Sequence, residues 1–478
     1  MRLSLPYTKT KIVCTIGPAS RKEQILKELV RSGMSIARLN LTHGSHEEHK
    51  ENVKRIREVS SNMGRVVAIL ADLPGPKIRI GKLKKGQVTL KKGSVVYLTT
   101  EDVLGTEVTI PVEYKGLPEC ISKDNLIYIN DGFIQLQVQD VAKDQIKCKV
   151  LIGGELLSYK GLNVPEVEIP VKVISDKDLK LIDFALEEGI DAIGISFVEG
   201  AKDIIEVKEY IKSRGKSAFV IAKIERGVAV DNIDEILEVT DGVMVARGDL
   251  GVEEPIEKMP EIQKRIIHKA NIFSRPVITA TQMLESMTYN VRPTRAEVTD
   301  VANAILDGTD AIMLSEETAI GKYPVESVEM MSKIAVNVES KRSSLRHSSN
   351  LLECWRSEVG QKKIAIEDVI PIEVFEALNA LPVKFVLTPT RSGSTPRRIS
   401  RFKPKCWVLS FSGDEKVRNS LAFSYGVYPF LTEDGGNHEK IINLVKSLNL
   451  VNKGDEVILT EGSRKTGGTN SLKILIID

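Results

Sequence analysis

Several features that would point elsewhere are scarce or missing. The chain has five cysteines, at positions 14, 120, 148, 354 and 406, an odd number with no Cys-x-x-Cys pair. That usage argues against a disulfide framework and fits a reduced cytoplasm. Charge of one sign is missing too: 67 Lys and Arg against 65 Asp and Glu leave a net charge of +2. No electrostatic case for a nucleic-acid partner follows from that balance. No apolar run approaches the length that spans a membrane, so no membrane partner is expected. The start, Met1-Arg-Leu-Ser-Leu-Pro-Tyr-Thr-Lys, lacks the apolar core of a secretory leader. Internal repeats and low-complexity tracts are absent as well. With 478 residues the chain can bury a large core and hold several domains.

What is present is a series of strand-length apolar runs that end in polar residues. They cover residues 11–17, 35–40, 66–73, 192–198, 219–225, 242–249, 276–283 and 311–317. Helix-like segments follow them, with apolar residues at three- and four-residue steps, as in 21–32, 204–213, 261–272 and 295–306. Alternating strands and helices argue for a parallel sheet, and eight units argue for a closed (β/α)8 TIM barrel. Sites in such barrels lie at the C-terminal ends of the strands. Those ends carry Arg38, Asn40, Asp72, Lys223, Glu225, Arg247, Asp249, Thr281 and Glu316.

The run 219–225 is the most informative. Side chains alternate along a strand, so Lys223 and Glu225 leave the same face. Buried charges need partners. A metal on Glu225 and Asp249 beside a phosphate on Lys223 would satisfy all three. A structural ion pair would serve this segment equally well. The repeat of polar strand ends around the barrel favours a site. His43, His46 and His49 are three apart on a loop-to-helix segment. Solvated helix-start positions are a better reading of them than a metal cluster.

Residues 77–170 break the alternation with five short β runs and turn residues between them. They read as a small β-barrel lid domain inserted after the third strand, with Pro74, Pro76, Pro165 and Pro170 at its hinges. Such an insertion can exclude water from the barrel mouth. Residues 1–76 and 171–340 make the catalytic barrel on this reading. The polar stretch 340–349 is a linker, and 341–478 form a C-terminal α/β domain of alternating strands and helices. Its basic run, Arg397, Arg398, Arg401, Lys403 and Lys405, reads as a solvated helix face or a subunit contact rather than an RNA site. Thr388-Pro-Thr-Arg-Ser-Gly-Ser-Thr follows a strand and opens a helix. Its hydroxyls, glycine and helix N–H groups suit an anion, with Gly462-Ser-Arg-Lys-Thr-Gly-Gly-Thr as a second wall.

Six ordered blocks carry a resemblance over nearly the full length. They are Lys11-Ile-Val-Cys-Thr-Ile-Gly-Pro-Ala-Ser, Ala37-Arg-Leu-Asn-Leu-Thr-His-Gly, Val243-Met-Val-Ala-Arg-Gly-Asp-Leu-Gly, Ala280-Thr-Gln-Met-Leu-Glu-Ser-Met, Pro293-Thr-Arg-Ala-Glu and Asp300-Val-Ala-Asn-Ala-Ile-Leu-Asp-Gly. In these the chain resembles the pyruvate kinase family. The resemblance implies phosphoryl transfer from phosphoenolpyruvate to ADP, giving ATP and pyruvate by way of enolpyruvate. Such chemistry needs positioning and charge neutralisation more than covalent help.

By similarity, Glu225 and Asp249 bind Mg²⁺ or Mn²⁺, hard ions suited to carboxylates. Lys223 steadies the transferring group, and Arg38 contacts phosphate. Ala246, Arg247, Gly248 and Asp249 form a strand-to-helix turn whose N–H groups hold the substrate carboxylate, and Thr281 joins a proton relay. Asn40, His43 and Arg79 face the nucleotide. Asn40, Thr42, Asp72 and the carbonyl of Leu73 correspond to the family's potassium ligands. The resemblance also implies a homotetramer, and a phosphorylated effector on Thr388, Thr390, Arg391, Ser392, Gly393, Ser394 and Thr395.

Three departures stand out. The family's Asp-Thr-Lys-Gly-Pro-Glu reads Asp72-Leu-Pro-Gly-Pro-Lys77 here. Lys77 puts a tethered cation near the potassium site, so activity without added K⁺ is expected. Glu199-Gly200 stands where a lysine is usual after Ser196-Phe197, with Lys202 nearby. Ser315-Glu-Glu-Thr replaces Ser-Gly-Glu-Thr. Two other readings stay open at this level. One is a metal-dependent barrel lyase or aldolase on pyruvate-like substrates. The other is a degenerate family member that senses metabolites. Lys223 and the lid argue against the first, and the retained strand-end residues argue against the second.

Overall fold

The computed structural model describes residues 4–478 except 131, 166, 168–171, 342–350, 352, 354, 358–365, 434–436 and 463–467. Pro170, Cys354, most of the expected linker and most of the second effector wall therefore lie outside the described residues.

All eight expected strands form. They are β1 (Lys11–Thr15), β2 (Met34–Asn40), β3 (Ala68–Asp72), β4 (Ala192–Ile195), β5 (Phe219–Ile224), β6 (Gly242–Ala246), β7 (Val277–Ala280) and β8 (Ala311–Leu314). Each pairs in parallel with the next, and β8 pairs with β1, so the barrel closes. Strands buried on both faces read as continuous apolar runs, and all six residues of β5 are buried. Three of the helices between them start on side-chain capping boxes. Ser45 with Glu48, Ser175 with Asp178 and Thr294 with Glu297 each satisfy end N–H groups reciprocally.

Register decides which polar ends meet. Thr15 lies opposite Arg38, Asn40 opposite Asp72, and Asp72 opposite Gly194. Gly194 matters because Lys223 must cross β4 to reach β3. A Cβ there would already sit 3.6 Å from the Lys223 Cδ and 3.7 Å from Asp72 Oδ1. Any larger side chain would fill the crossing space.

Between β3 and the helix Asp176–Glu187, the insertion folds into a six-stranded sheet and a two-stranded sheet. The strands Ile134–Val141, Gly154–Leu157 and Leu162–Asn163 join the five expected there. Its own apolar core includes Ile110, Ile127, Leu136 and Val150. Gly132 approaches Val252 on the barrel helix Arg247–Glu253, so this insertion touches the barrel mouth.

The C-terminal sheet runs Val427–Leu431, Trp407–Ser412, Phe385–Pro389, Glu456–Gly462, Thr469–Ile476, with only the last pair antiparallel. The expected alternation thus ends in two directly paired strands. This domain closes the N-terminal end of the barrel. Phe423 and Ala422 pack into a cluster with Val13, Leu70, Phe219 and Met244.

The basic run is not a solvated face, because much of it meets that floor. Lys403 pairs with Asp310 at 2.8 Å, and Arg401 donates to Ser274 Oγ at 3.0 Å. Among the described residues, no helix is long and apolar enough to cross a membrane.

Candidate functional site

The C-terminal rim gathers Asp72, Glu225 and Arg38 around Lys223. Its ammonium lies 3.0 Å from Asp72 Oδ1, 2.8 Å from Glu225 Oε1 and 2.6 Å from Ser196 Oγ. Arg38 reaches the other Asp72 oxygen at 2.6 Å and donates to Thr15 Oγ1 at 2.9 Å. Two cations therefore bracket one buried carboxylate. Burial opposes charge on Asp72, but Lys223 and Arg38 prevail and hold it below the usual carboxylate range. Burial also works against the Lys223 ammonium. Asp72 and Glu225 outweigh it and raise its pKa above the ordinary value.

Glu225 differs in kind. Burial pushes its carboxyl up, Lys223 pulls it back, and the neighbouring Asp249 carboxylate adds to the rise. Two carboxylates crowded into a buried rim make a place for a cation. Glu225 Oε2 also accepts the Phe197 N–H at 2.8 Å. Phe197 has φ 56°, a left-handed conformation that aims this N–H inward. Asp249 pairs with Lys77, Nζ to Oδ1, at 2.6 Å.

Hard carboxylate oxygens at Glu225 and Asp249 fit Mg²⁺ or Mn²⁺. Among the described residues, no group of three or more His, Cys, Asp and Glu could hold a metal alone. An ion on these two carboxylates would complete its shell with substrate and water oxygens, the usual habit of Mg²⁺.

The turn after β6 meets the end of β7. Gly248 N–H donates to Thr281 Oγ1 at 2.9 Å, and that hydroxyl donates to the Ala280 carbonyl at 2.6 Å. Thr281 and Gln282 have φ of 68° and 53°. Non-glycine residues held there store strain, and such strain clusters at functional sites. The Arg247 side chain braces this corner. It donates to the Thr281 carbonyl at 2.6 Å and pairs with Asp300 at 2.7 Å.

Other expected residues lie further out. Asn40 Oδ1 accepts the Thr42 N–H at 3.1 Å, and the Leu73 carbonyl accepts Ser196 Oγ–H at 2.7 Å. The His43 carbonyl lies 2.8 Å from His49 Nε2, while His46 stacks on Phe184. The three histidines do not converge on a common point. Arg79 lies in the insertion, in an isolated bridge to Gly161, and donates to the Tyr159 carbonyl. Glu316 opens a short helix after β8 instead of ending the strand.

Ser196, Phe197 and Arg226 were not expected as site residues. A cleft opens between insertion and barrel, lined by Lys77, Asn163, Phe197, Glu199, Arg226 and Glu253. Arg226 pairs with Glu199, and Asn163 donates to Glu253 at 3.3 Å.

In the C-terminal domain, Gly393 N–H donates to Thr390 Oγ1 at 2.9 Å, and the hydroxyls of Thr395 and Thr469 share a hydrogen bond of 2.5 Å. Thr388 is buried beneath the loop. Arg391 and Ser392 are exposed.

A rim of paired cations and carboxylates, open to a lid-covered cleft, can neutralise and align a phosphoryl group. Comparison with known proteins decides whose chemistry this is. The family model described as pyruvate kinase, barrel domain, matches residues 7–328, and that described as pyruvate kinase, alpha/beta domain, matches residues 368–475. The chain belongs to the pyruvate kinase family.

A pyruvate kinase from Thermococcus litoralis is 54% identical over 477 residues, spanning 99% of this chain and 100% of that one. A pyruvate kinase from Geobacillus stearothermophilus is 44% identical, spanning 98% of this chain and 80% of its own. The crystal structure of a pyruvate kinase from Cryptosporidium parvum matches with a TM-score of 0.91 at 36% identity, covering 99% of this chain and 97% of that one. Membership makes this chain a phosphotransferase of glycolysis, and removes the lyase and aldolase reading.

Proposed function

We propose that the rim around Lys223 transfers the phosphoryl group of phosphoenolpyruvate to ADP and then delivers a proton to enolpyruvate. The observation that carries this is the placement of Lys223 between Asp72 and Glu225, one strand from Asp249. In this reading Lys223 and Arg38 neutralise charge on the phosphoryl oxygens during transfer. The substrate carboxylate takes the Gly248 N–H in place of Thr281 Oγ1, within the turn Ala246–Asp249. That exchange frees a lone pair on Thr281 Oγ1 to take a proton from water, while the hydroxyl proton, turned away from the Ala280 carbonyl, passes to the enolate carbon.

Glu225 and Asp249 are the protein ligands for Mg²⁺ or Mn²⁺, which when bound would neutralise phosphate charge beside Lys223. Lys77, expected near Asn40, Thr42, Asp72 and Leu73, reaches Asp249 instead; from there it supplies a fixed positive charge to the rim, and makes K⁺ dispensable. Asn40, His43 and Arg79 contact the nucleotide, with the lid cleft as its approach.

The same reading extends to organisation. Residues 1–76 and 171–340 act as the catalytic body, 77–170 as the lid and 341–478 as the effector unit. The loop Thr388, Thr390, Arg391, Ser392, Gly393, Ser394 and Thr395 takes the phosphate of a small metabolite.

The chain works as a homotetramer with dihedral symmetry, in the cytoplasm. Two separate apolar surfaces support the assembly. Tyr289, Val291 and Ile320 are exposed on the barrel, where the Lys322 N–H bonds the Thr288 carbonyl. Ile474 and Ile476 are exposed on the last strand of the C-terminal sheet. An open apolar sheet edge invites a second copy. Two such faces on one chain, each pairing with its like, would close into a four-chain assembly.

The test is ATP formation from ADP and phosphoenolpyruvate with Mg²⁺ in a coupled assay. Turnover is expected. Failure to form ATP while both substrates bind would leave the sensor reading in place.

A further inference from the structure

The strand that carries Lys223 and leads into Glu225 begins at the barrel floor, and the C-terminal domain grips it there from several sides. Phe219, the first residue of β5, stacks on Phe423 with ring centroids 5.4 Å apart. Arg397 lies over the same Phe219 ring, 5.1 Å from its centroid. Beside it, Asn419 donates to Asp191 Oδ1 at 2.7 Å, next to the Phe219 N–H that donates to the Asp191 carbonyl. Lys416 reaches Ser217 Oγ at 3.2 Å, two residues before the strand.

Arg397 ties Phe219 to two other points of the C-terminal domain. One guanidinium nitrogen donates to the Ser392 carbonyl at 3.1 Å, in the exposed hydroxyl-rich loop. Another donates to Ser420 Oγ at 2.8 Å, directly before the turn Leu421–Phe423 that plugs the barrel. Its face covers Phe219. The fit is close: a Cβ on Gly393 would come within 3.1 Å of the guanidinium. Burial pushes Arg397 down to about 10, so the group stays charged at neutral pH, with Asp241 acting in the opposite sense.

We propose that Arg397 is a positioning residue for phosphoryl transfer, fixing β5 through Phe219 and so placing Lys223 and Glu225. The proposal rests on the roles assigned above to those two residues. A buried strand in a close-packed barrel does not absorb a displacement at one end. It passes the displacement along its length to the rim. Misplacing catalytic groups by about 1 Å can cost a hundredfold in rate. The bond to Ser392 makes the loop conformation one input to this placement. The effect acts on the rim geometry and leaves ADP recognition in the cleft untouched.

The experiment uses the full chain with Arg397→Met, Arg397→Lys, Phe219→Leu and the Arg397→Met/Phe219→Leu double variant. Steady-state kinetics and thermal melting are measured for each. Coupling along such a path is expected to lower kcat about tenfold in Arg397→Met, with KM for ADP within about twofold. Arg397→Lys, which keeps the charge over the ring, should recover part of that loss. In the double variant kcat should fall no further than in the worse single variant. Ser420→Ala serves where Arg397→Met does not fold, with a smaller fall in kcat.

Unchanged kcat in folded Arg397→Met overturns the proposal, or in folded Ser420→Ala where the Met variant fails. So do losses that multiply in the double variant. An inactive Lys223→Met beside an unaffected Arg397→Met would condemn the coupling alone, and an active Lys223→Met would condemn the rim assignment first.

Discussion

The Lys77 ammonium sits 2.6 Å from Oδ1 of Asp249, one of the two carboxylates proposed for the divalent ion. Its stem crosses Gly161 so closely that a Cβ there would lie 2.5 Å from the Lys77 Cε. The charge that this chain adds to the family pattern is therefore delivered onto the rim by a side chain that the insertion shapes a path for. Native enzyme should turn over in buffer free of K⁺ and NH₄⁺. Lys77→Glu should acquire a K⁺ requirement. A native enzyme silent until K⁺ is added removes the tethered-charge account.

The barrel floor gives a pH prediction. Lys11 is buried, donates to the Val427 carbonyl at 2.7 Å and faces the Trp407 ring. Burial pushes it down to about 7, although Glu339 and Asp310 pull it upward. An unfolded lysine titrates near 10.4. Between about pH 7 and about pH 10 the unfolded chain holds a proton that the folded chain has lost. Stability therefore rises with pH in that window, by up to about 1.4 kcal/mol per pH unit from this group. Below it both states are protonated and the contribution is flat. Lys11→Met should melt above the native chain at about pH 6, and the difference should shrink by about pH 9. A constant difference across that range would count against it.

The fold was legible because of how barrel strands are solvated. Strands covered on both faces must be apolar throughout, so β1 to β8 stand out as continuous runs. In the insertion, Ile134, Leu136 and Val138 alternate with glutamines, so the strand Ile134–Val141 carried a period-two signal that was overlooked. Leu162–Asn163 is too short to carry one, and Gly154–Leu157 buries only Leu156, so it shows no alternation.

The proposed site was legible where a charge ended a run, as at Lys223, Glu225 and Asp249. Ser196 was not, because its role depends on Lys223 crossing the gap above Gly194, a relation between three strands. The basic run with Arg397 reads in the sequence as a solvated face or a subunit contact, whereas Arg397 lies over Phe219 of the same chain. Helical spacing shows which residues share a face, but not that a barrel floor covers it.

The hydroxyl-rich loop predicts an effector response. AMP or a sugar phosphate bound there should raise affinity for phosphoenolpyruvate, with a coupling of about 1–3 kcal/mol. Ser392→Asp and Thr395→Asp should abolish that response through charge repulsion. If both variants keep every effector response, the effector binds elsewhere.

The two exposed apolar faces predict assembly size. Light scattering at working concentration should give four chains per particle. Ile476→Lys, on the open sheet edge, should yield a smaller species with the fold retained. A monomeric native mass contradicts the dihedral assembly.

Turnover of Lys223→Met is the most direct measure of the whole account. Its substitution leaves the buried Asp72 and Glu225 without their shared cation, which costs stability of about 3–5 kcal/mol. Melting is therefore followed alongside, and kinetics are read only on folded enzyme. Removing such a charge-stabilising contact typically lowers kcat by about 10²–10³. The account predicts a loss at least that large, with Mn²⁺ and phosphoenolpyruvate still binding. Near-native turnover by folded Lys223→Met would contradict it.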